Sequence, residues 1–180
     1  MTLKTTLLPF VAALCLSGCI EYGVVPSQLD AFLEKAESGD AFAQAQLGQH
    51  YLGGPDNVQD MRLAKHWLER AAAQNEPQAI YTLGAMRENG HGFARDINAA
   101  FEFYTRAAML NNPPAQEALA RIHALGLVGP VDNVSSHKWQ ILSEQHGRQM
   151  RATDFMARYK LSKGEIKLAE AQAKKISDRF

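Results

Sequence analysis

From Ala79 to Glu88 the apolar side chains fall at Ala79, Ile80, Leu83 and Met86, a spacing that puts them on one face of a helix. Asn89-Gly90-His91-Gly92 interrupts the pattern, and glycine there supplies the left-handed turn that closes a helix. A second run follows with Ala99, Ala100, Phe103, Ala107 and Ala108 on one side. Asp96 precedes it, where a carboxylate can accept from the backbone N–H groups of the first turn. The pattern predicts two short helices and a tight turn. No stretch alternates apolar and polar residues for long, alanine is abundant and β-branched residues are few, so the whole chain reads as helical.

The same pattern returns every 36 residues. "AQAQLGQHYLGG" begins at Ala43, "AIYTLGAMRENG" at Ala79 and "AQEALARIHALG" at Ala115. One step of 36 links Leu47, Leu83 and Leu119, then Gly54, Gly90 and Gly126, then Asp60, Asp96 and Asp132. It also links the aromatics Trp67, Phe103 and Trp139. Helices this short are not stable alone, so each pair must bury its face against its neighbours. Gly48 and Gly84 lie inside the first helices, where glycine costs about 1 kcal/mol relative to alanine, a cost that close approach of two backbones can justify. Ala120 holds the third equivalent position. The large aromatics are expected to fill the space between helix pairs, and Asp60, Asp96 and Asp132 to act as caps.

These columns divide the chain. Residues 27–42 read as a half-unit, with full units over 43–78, 79–114 and 115–147 and capping helices over 148–180. The third unit is a worn copy, reading Ser143-Glu144 where the others have Ala-Ala. In the last segment Ser162 and Glu165 make a capping-box pair, and Ile166, Ala169, Ala173 and Ile176 form one apolar side. That helix is expected to seal the end of the array, with membrane binding by a free amphipathic helix as the alternative.

The N-terminus departs from the pattern. Lys4 precedes an apolar run from Leu7 to Leu16, about half of the ~20 residues needed to cross a bilayer, which makes residues 1–18 a signal peptide. Leu16-Ser17-Gly18-Cys19 resembles the lipobox of bacterial lipoprotein precursors, Leu-small-Gly/Ala-Cys. The resemblance implies that Cys19 is acylated and becomes the first residue of the mature chain, followed by a short tether over 19–26. An ordinary secretory signal that leaves Cys19 free is the alternative. Ile20 stands where inner-membrane retention usually asks for Asp, which implies the outer membrane of a Gram-negative bacterium, facing the periplasm. With Cys15 and Cys19 the only cysteines, a lipidated mature chain has no disulfide, and folding rests on packing. Lysine plus arginine number 19 and so do aspartate plus glutamate, so no basic field invites nucleic acid.

"AIYTLGAMRENGHGFARDINAAFEFYTRAA" is similar throughout to a Sel-one-like repeat, a relative of the tetratricopeptide repeat, and the resemblance runs from about Ala31 to Gly147. It implies an all-α, right-handed α-solenoid of helix-turn-helix repeats whose first helices line a concave face, and a protein that works by holding other proteins. The sequence departs from that pattern at Pro55, and at Arg87 and His123, where Tyr is usual and where Tyr51 conforms.

Other chemistry is thin. "GHGFAR" lacks the third glycine of a dinucleotide loop and no strand precedes it. The six histidines show no metal-ligand spacing, so no metal or cofactor is expected, and no G-x-S-x-G elbow occurs. The candidate partner-binding positions are Gln46, Gln49, Thr82 and Arg121 on the first helices, with Arg87 and His123 as the two departures to test; a solvated arginine and a half-buried histidine without a role is the plainer reading of those two. The expected function is a non-catalytic scaffold or adaptor that takes a protein or peptide partner in the groove. An immunity protein against a delivered toxin such as a lipase is one alternative. A cell-wall or β-lactam hydrolase is another, but it needs a nucleophile, a base and oxyanion donors in one cleft, and none can be assembled from these residues.

Overall fold

The computed structural model of the chain describes residues 28–53, 60–147 and 161–179. The signal peptide, Cys19, the tether, Pro55 and the first part of the expected 148–180 cap lie outside the described residues. Within them are eight helices and no strand: α1 (Gln28–Glu37), α2 (Ala41–Gly53), α3 (Met61–Ala73), α4 (Pro77–Asn89), α5 (Ile97–Ala108), α6 (Pro113–Leu125), α7 (Asn133–Gln145) and α8 (Lys163–Ser177). Helices α2 and α3, α4 and α5, and α6 and α7 pair as hairpins, and each hairpin packs on the next through α3 against α4 and α5 against α6. The result is an α-solenoid of repeating helix pairs.

The local signals explain the boundaries. Asp60, Asp96 and Asp132 are the N-caps of α3, α5 and α7, each accepting from backbone N–H groups of the following turn. A second column of caps, also 36 residues apart, starts the first helices: Asp40 accepts from Ala43 N–H at 2.7 Å, Glu76 caps α4 and Asn112 caps α6. Gly90 and Gly126 close α4 and α6 in the left-handed conformation, at φ of 77° and 61°. The turn from each hairpin to the next also needs positive φ. Gly39, Asn75, Asn111 and Gly147 supply it at equivalent positions, with φ of 104°, 63°, 59° and 102°. Glycine bears this without cost, and asparagine is the side chain that tolerates it best.

A main core runs through the hairpins, and a smaller cluster of Ala36, Ala43, Leu47 and Trp67 packs between α1, α2 and α3. Leu68, Ile80, Leu83, Leu119, Ile122 and Leu142 are fully or almost fully buried, and Ala71-Ala72 and Ala107-Ala108 provide the slim flanks between them. Trp67 and Trp139 are buried as expected, but in the middle unit Phe103 is only half-buried and the next residue, Tyr104, is the one enclosed. What occupies the space over the helical glycines is a side chain more than a backbone. A Cβ on Gly48 would fall 2.6 Å from Leu68 Cγ, and one on Gly84 would fall 2.9 Å from the Tyr104 ring. Leu68 and Tyr104 are 36 residues apart, so a large side chain from the second helix lies across the first helix in both units. In the third unit Ala120 replaces the glycine, Gln140 stands in the Leu68 column, and the Ser136 hydroxyl donates to the Ala120 carbonyl at 2.6 Å.

Helix α8 closes the far end. Ser162 and Glu165 form the reciprocal capping box at its start. Ala169 and Ala173 are buried, Ile166 and Ile176 half-buried, and the helix packs against α7. No helix among the described residues is long and apolar enough to cross a membrane.

Candidate functional site

Among the described residues α2 also approaches α4 across the hairpins. The resemblance to Sel-one-like repeats implies that these first helices, α2, α4 and α6, line the concave side. Helical spacing puts Gln46 and Gln49 on the same half-buried stripe of α2, with Thr82 and Ala85 equivalent on α4; on α6 the equivalents are Ala118, which is buried, and Arg121, which is exposed.

Gln46 and Gln49 are half-buried, and among the described residues neither amide bonds to another side chain or to the backbone. Thr82 spends its hydroxyl proton on the Gln78 carbonyl of its own helix at 2.8 Å. Arg121 is held firmly: its Nη2 donates to both carboxylate oxygens of Glu88 at 2.7 Å. Glu88 also accepts from the Tyr104 hydroxyl at 2.8 Å. Burial first, and then the hydrogen bond and charge of Glu88, push the Tyr104 phenol well above the ordinary tyrosine range, so it remains a donor. The three side chains come from α4, α5 and α6 and tie the second hairpin to the third. The equivalents of Glu88 are Leu52 and Ala124, so this triad is built only once.

Arg87 and His123 lie against rings. The Arg87 guanidinium carbon sits 4.0 Å from the centroid of Phe93, in the turn after α4, and its Nε is buried without a hydrogen-bond partner among the described residues. The His123 ring meets Phe101 edge-on at 5.6 Å. Burial lowers the His123 pKa, Asp132 opposes that shift and Lys138 adds to it. Both side chains therefore do in this chain what an aromatic residue does in that column, covering a neighbouring ring, as Tyr51 does with His50 at 5.7 Å. Arginine can substitute because its flat cation packs on a π face.

Glu88 is the residue that sequence reasoning missed. Its signal was obtainable only by pairing Arg121 with a carboxylate one repeat back, 33 residues upstream. Among the described residues no group of three or more His, Cys, Asp or Glu side chains converges as metal ligands would. The arrangement offers free amides and one oriented arginine: recognition chemistry.

A sequence profile of the Sel1 repeat matches residues 41–76, 77–112 and 113–139, more than half of the chain. The chain belongs to the Sel1 repeat family. The crystal structure of a Sel1 repeat protein from Oxalobacter formigenes is similar at 32% identity, with a TM-score of 0.63, covering 72% of this chain and 97% of that one. A protective antigen of uropathogenic Escherichia coli displaying an SLR fold is similar at 31% identity and a TM-score of 0.67, covering 84% of this chain and 33% of that one. Among curated proteins, the DAP3-binding cell death enhancer 1 of Rattus norvegicus is 32% identical over 97 residues, 54% of this chain and 19% of that protein. Chitin synthase regulatory factor 3 of Schizosaccharomyces pombe is 31% identical over 120 residues, 61% of this chain and 13% of that protein. The chain thus spans a fifth or less of these curated relatives. Sel1 repeats are a protein-interaction fold, and the free amides and pinned arginine of this array suit that role.

Proposed function

We propose that this Sel1 array is a non-catalytic scaffold, lipid-anchored through Cys19 in the outer membrane and facing the periplasm, that holds a protein or peptide partner along its first helices. The observation that carries the reading is the lining itself. Gln46 and Gln49 present amides on α2, and two hairpins along the same series of first helices Glu88 holds Arg121 of α6 in one orientation; donors and acceptors of that kind recognise backbone and polar side chains. The Leu16-Ser17-Gly18-Cys19 box supports the anchor, since two or more acyl chains hold a protein stably where one does not. Relatives named for binding DAP3 or for regulating chitin synthase support the class of function and say nothing of this partner's identity.

The test is a cross-linking pull-down of the anchored protein, comparing wild type with Gln49→Ala, Arg87→Ala and Arg121→Ala. A specific partner should weaken or vanish in the Gln49 and Arg121 variants; a partner set unchanged in both removes the groove assignment. Labelled palmitate should enter the wild type and be absent from Cys19→Ala, and an unlabelled, soluble wild type would refute the anchor.

A further inference from the structure

One corner is built three times, where a second helix meets the next first helix. The N–H groups of Gly39, Asn75 and Asn111 donate to the carbonyls of Ala36, Ala72 and Ala108 at 3.2, 3.0 and 3.1 Å. Those of Asp40, Glu76 and Asn112 donate to Lys35, Ala71 and Ala107 at 3.0, 3.1 and 3.1 Å. Helix α1 therefore stands in the column of α3 and α5, with Gln28 in register with Ala64 and Ala100 in the first turns of those helices. It starts at the edge where α3, α5 and α7 start, which is also the edge of the turns that follow the first helices. The chain enters the array from that edge, and the nine residues from Cys19 to Ser27 reach about 30 Å at most.

Two turns on that edge differ in kind. In register, Asn89, His91 and Arg95 after α4 correspond to Leu125, Leu127 and Val131 after α6, and all six are exposed. The three apolar ones are 57%, 40% and 59% accessible. From Ala124 to Val131 no side chain carries a hydrogen-bonding group. Leu63, in the first turn of α3, is also exposed. Four of the six large apolar side chains exposed among the described residues thus belong to the edge by which the Cys19 end arrives.

The α6–α7 turn is shaped in advance. Gly126 and Leu127 donate their N–H groups to His123 and Ile122 at 3.3 and 3.1 Å, and Asp132 returns its own to His123 at 3.0 Å. Gly126 turns at φ of 61°, and a Cβ on it would fall 2.8 Å from the Gly129 carbonyl oxygen, so the turn closes on itself. Such a turn gives a protein partner no polar side chain to fix its orientation, whereas the acyl boundary of a bilayer asks for none. Amides spent inside the turn need no water, which is what contact with lipid requires. Asp132, the cap of α7, follows at once and keeps the contact shallow.

We infer that Leu125, Leu127 and Val131 seat the α6–α7 turn in the headgroup–acyl boundary of the bilayer that holds the Cys19 lipid. This seat presupposes the anchor proposed above and adds a second contact to it. The short tether keeps the turn at high effective concentration beside the bilayer, and the seat fixes which edge of the array faces the membrane. The helices then stand on end, and the side that carries Gln49 and Arg121 is left open to a partner.

The test uses the anchored chain, purified from membranes and reconstituted into phosphatidylcholine vesicles. A nitrobenzoxadiazole label is placed on Gly129→Cys, where a Cβ meets nothing within 4 Å. Flotation reads the anchor, and quenching by lipid with a nitroxide near the top of its acyl chains reads the seat. The label on Gly129→Cys should be quenched about twofold or more, and labels on His91→Cys and Phe42→Cys, at the neighbouring turn and the opposite edge, should not. Leu125→Gln with Val131→Gln, at the most exposed positions of the turn, should remove most of the quenching while flotation and helicity persist. Added salt should leave it unchanged, because no ion pair holds the turn. A chain that floats without quenching at Gly129→Cys overturns the seat and leaves the anchor standing; one that fails to float removes both. Quenching at Phe42→Cys instead, or quenching that survives the double glutamine variant, overturns the seat as well. So does self-quenching that grows with protein density, which would give the turn to a second copy, or protection of the label only in native envelopes, which would give it to another protein.

Discussion

The middle unit and its two neighbours solve one problem in two ways. At the end of each of α1, α3 and α5 the carbonyl of an alanine, Ala36, Ala72 or Ala108, lies where the chain turns into the next hairpin. In the first and third units a buried glutamine eight residues on takes it: Gln44 Nε2 at 2.9 Å and Gln116 Nε2 at 3.1 Å. The other end of each glutamine is satisfied from the far side of the hairpin, by Gln74 at 2.9 Å and by His146 at 3.2 Å, positions two periods apart. In the second unit the corresponding residues are Ile80 and Leu110, and the carbonyl of Ala72 is taken instead by Arg106, which reaches back at 2.6 Å and also bonds Asn75. The lesson is that the fold conserves the obligation, a buried acceptor that must be paired, and leaves the means open. A polar clasp and an arginine reaching from outside serve equally.

That contrast can be broken in order of cost. The largest effect should come from the side chains that cross the helical glycines. Leu68→Ala removes a fully buried residue from over Gly48 and should destabilise by about 2–5 kcal/mol, read as a fall in the urea or thermal midpoint followed by circular dichroism. Gly84→Ala should cost less, about 1–3 kcal/mol, because the Tyr104 ring must shift but alanine restores helix propensity. If Gly84→Ala is neutral, the ring is not seated as described.

Next come the clasps. Gln116→Ile copies the second unit into the third but takes the side-chain donor from the Ala108 carbonyl, which keeps only the Asn111 N–H at 3.1 Å, and removes the Gln116 partner of His146, since Leu142 stands in the Arg106 column and cannot reach back. The expected loss is about 1–3 kcal/mol. Arg106→Ala exposes the same obligation in the second unit, with the Ala72 carbonyl closer to water, and should cost about 1 kcal/mol or somewhat more. Equal losses from the two would mean that burial of the acceptor does not decide the cost.

The period made most of this fold legible. It carried the hairpins, the Asp60, Asp96 and Asp132 caps, the glycine stops and the Ser162–Glu165 box, because each repeats one residue type or follows a local rule. The other cap column was hidden because Asp40, Glu76 and Asn112 are three different residues in one role. The left-handed column was hidden likewise, since glycine and asparagine alternate between Gly39, Asn75, Asn111 and Gly147. Phe103 was favoured over Tyr104 because both are aromatic and adjacent, and a step of about 100° around the helix decides which one is enclosed. At the candidate site, repeat spacing found Arg121 but not Glu88, which has no counterpart in the other units. It set Arg87 and His123 on the first helices without revealing the rings they cover, because the Phe93 contact depends on the turn after α4 and the Phe101 contact on how α5 packs against α6.

The smallest effect separates the third unit from the other two by pH. His123 and His137 lie in the third hairpin, and burial lowers the pKa of both below the usual 6.5, with Asp132 opposing at His123 and Glu170 of α8 opposing at His137. As pH falls through 6.5 the unfolded chain takes up protons that the folded hairpin refuses, so stability is full above that value and declines until the folded groups also titrate. The Asp132 carboxyl runs the other way in charge but not in sign. Burial would raise it, yet the N–H and hydroxyl of Ser135, with His123 and Lys138, hold it below its usual 3.8, so its contribution is lost only at still lower pH. The melting midpoint should therefore fall between pH 7.5 and 5 before any carboxylate effect begins. His137→Asn, the more buried of the two, should flatten the slope more than His123→Asn. A slope that persists in the double variant would place the acid sensitivity outside the third hairpin and remove the distinction between the units on this count.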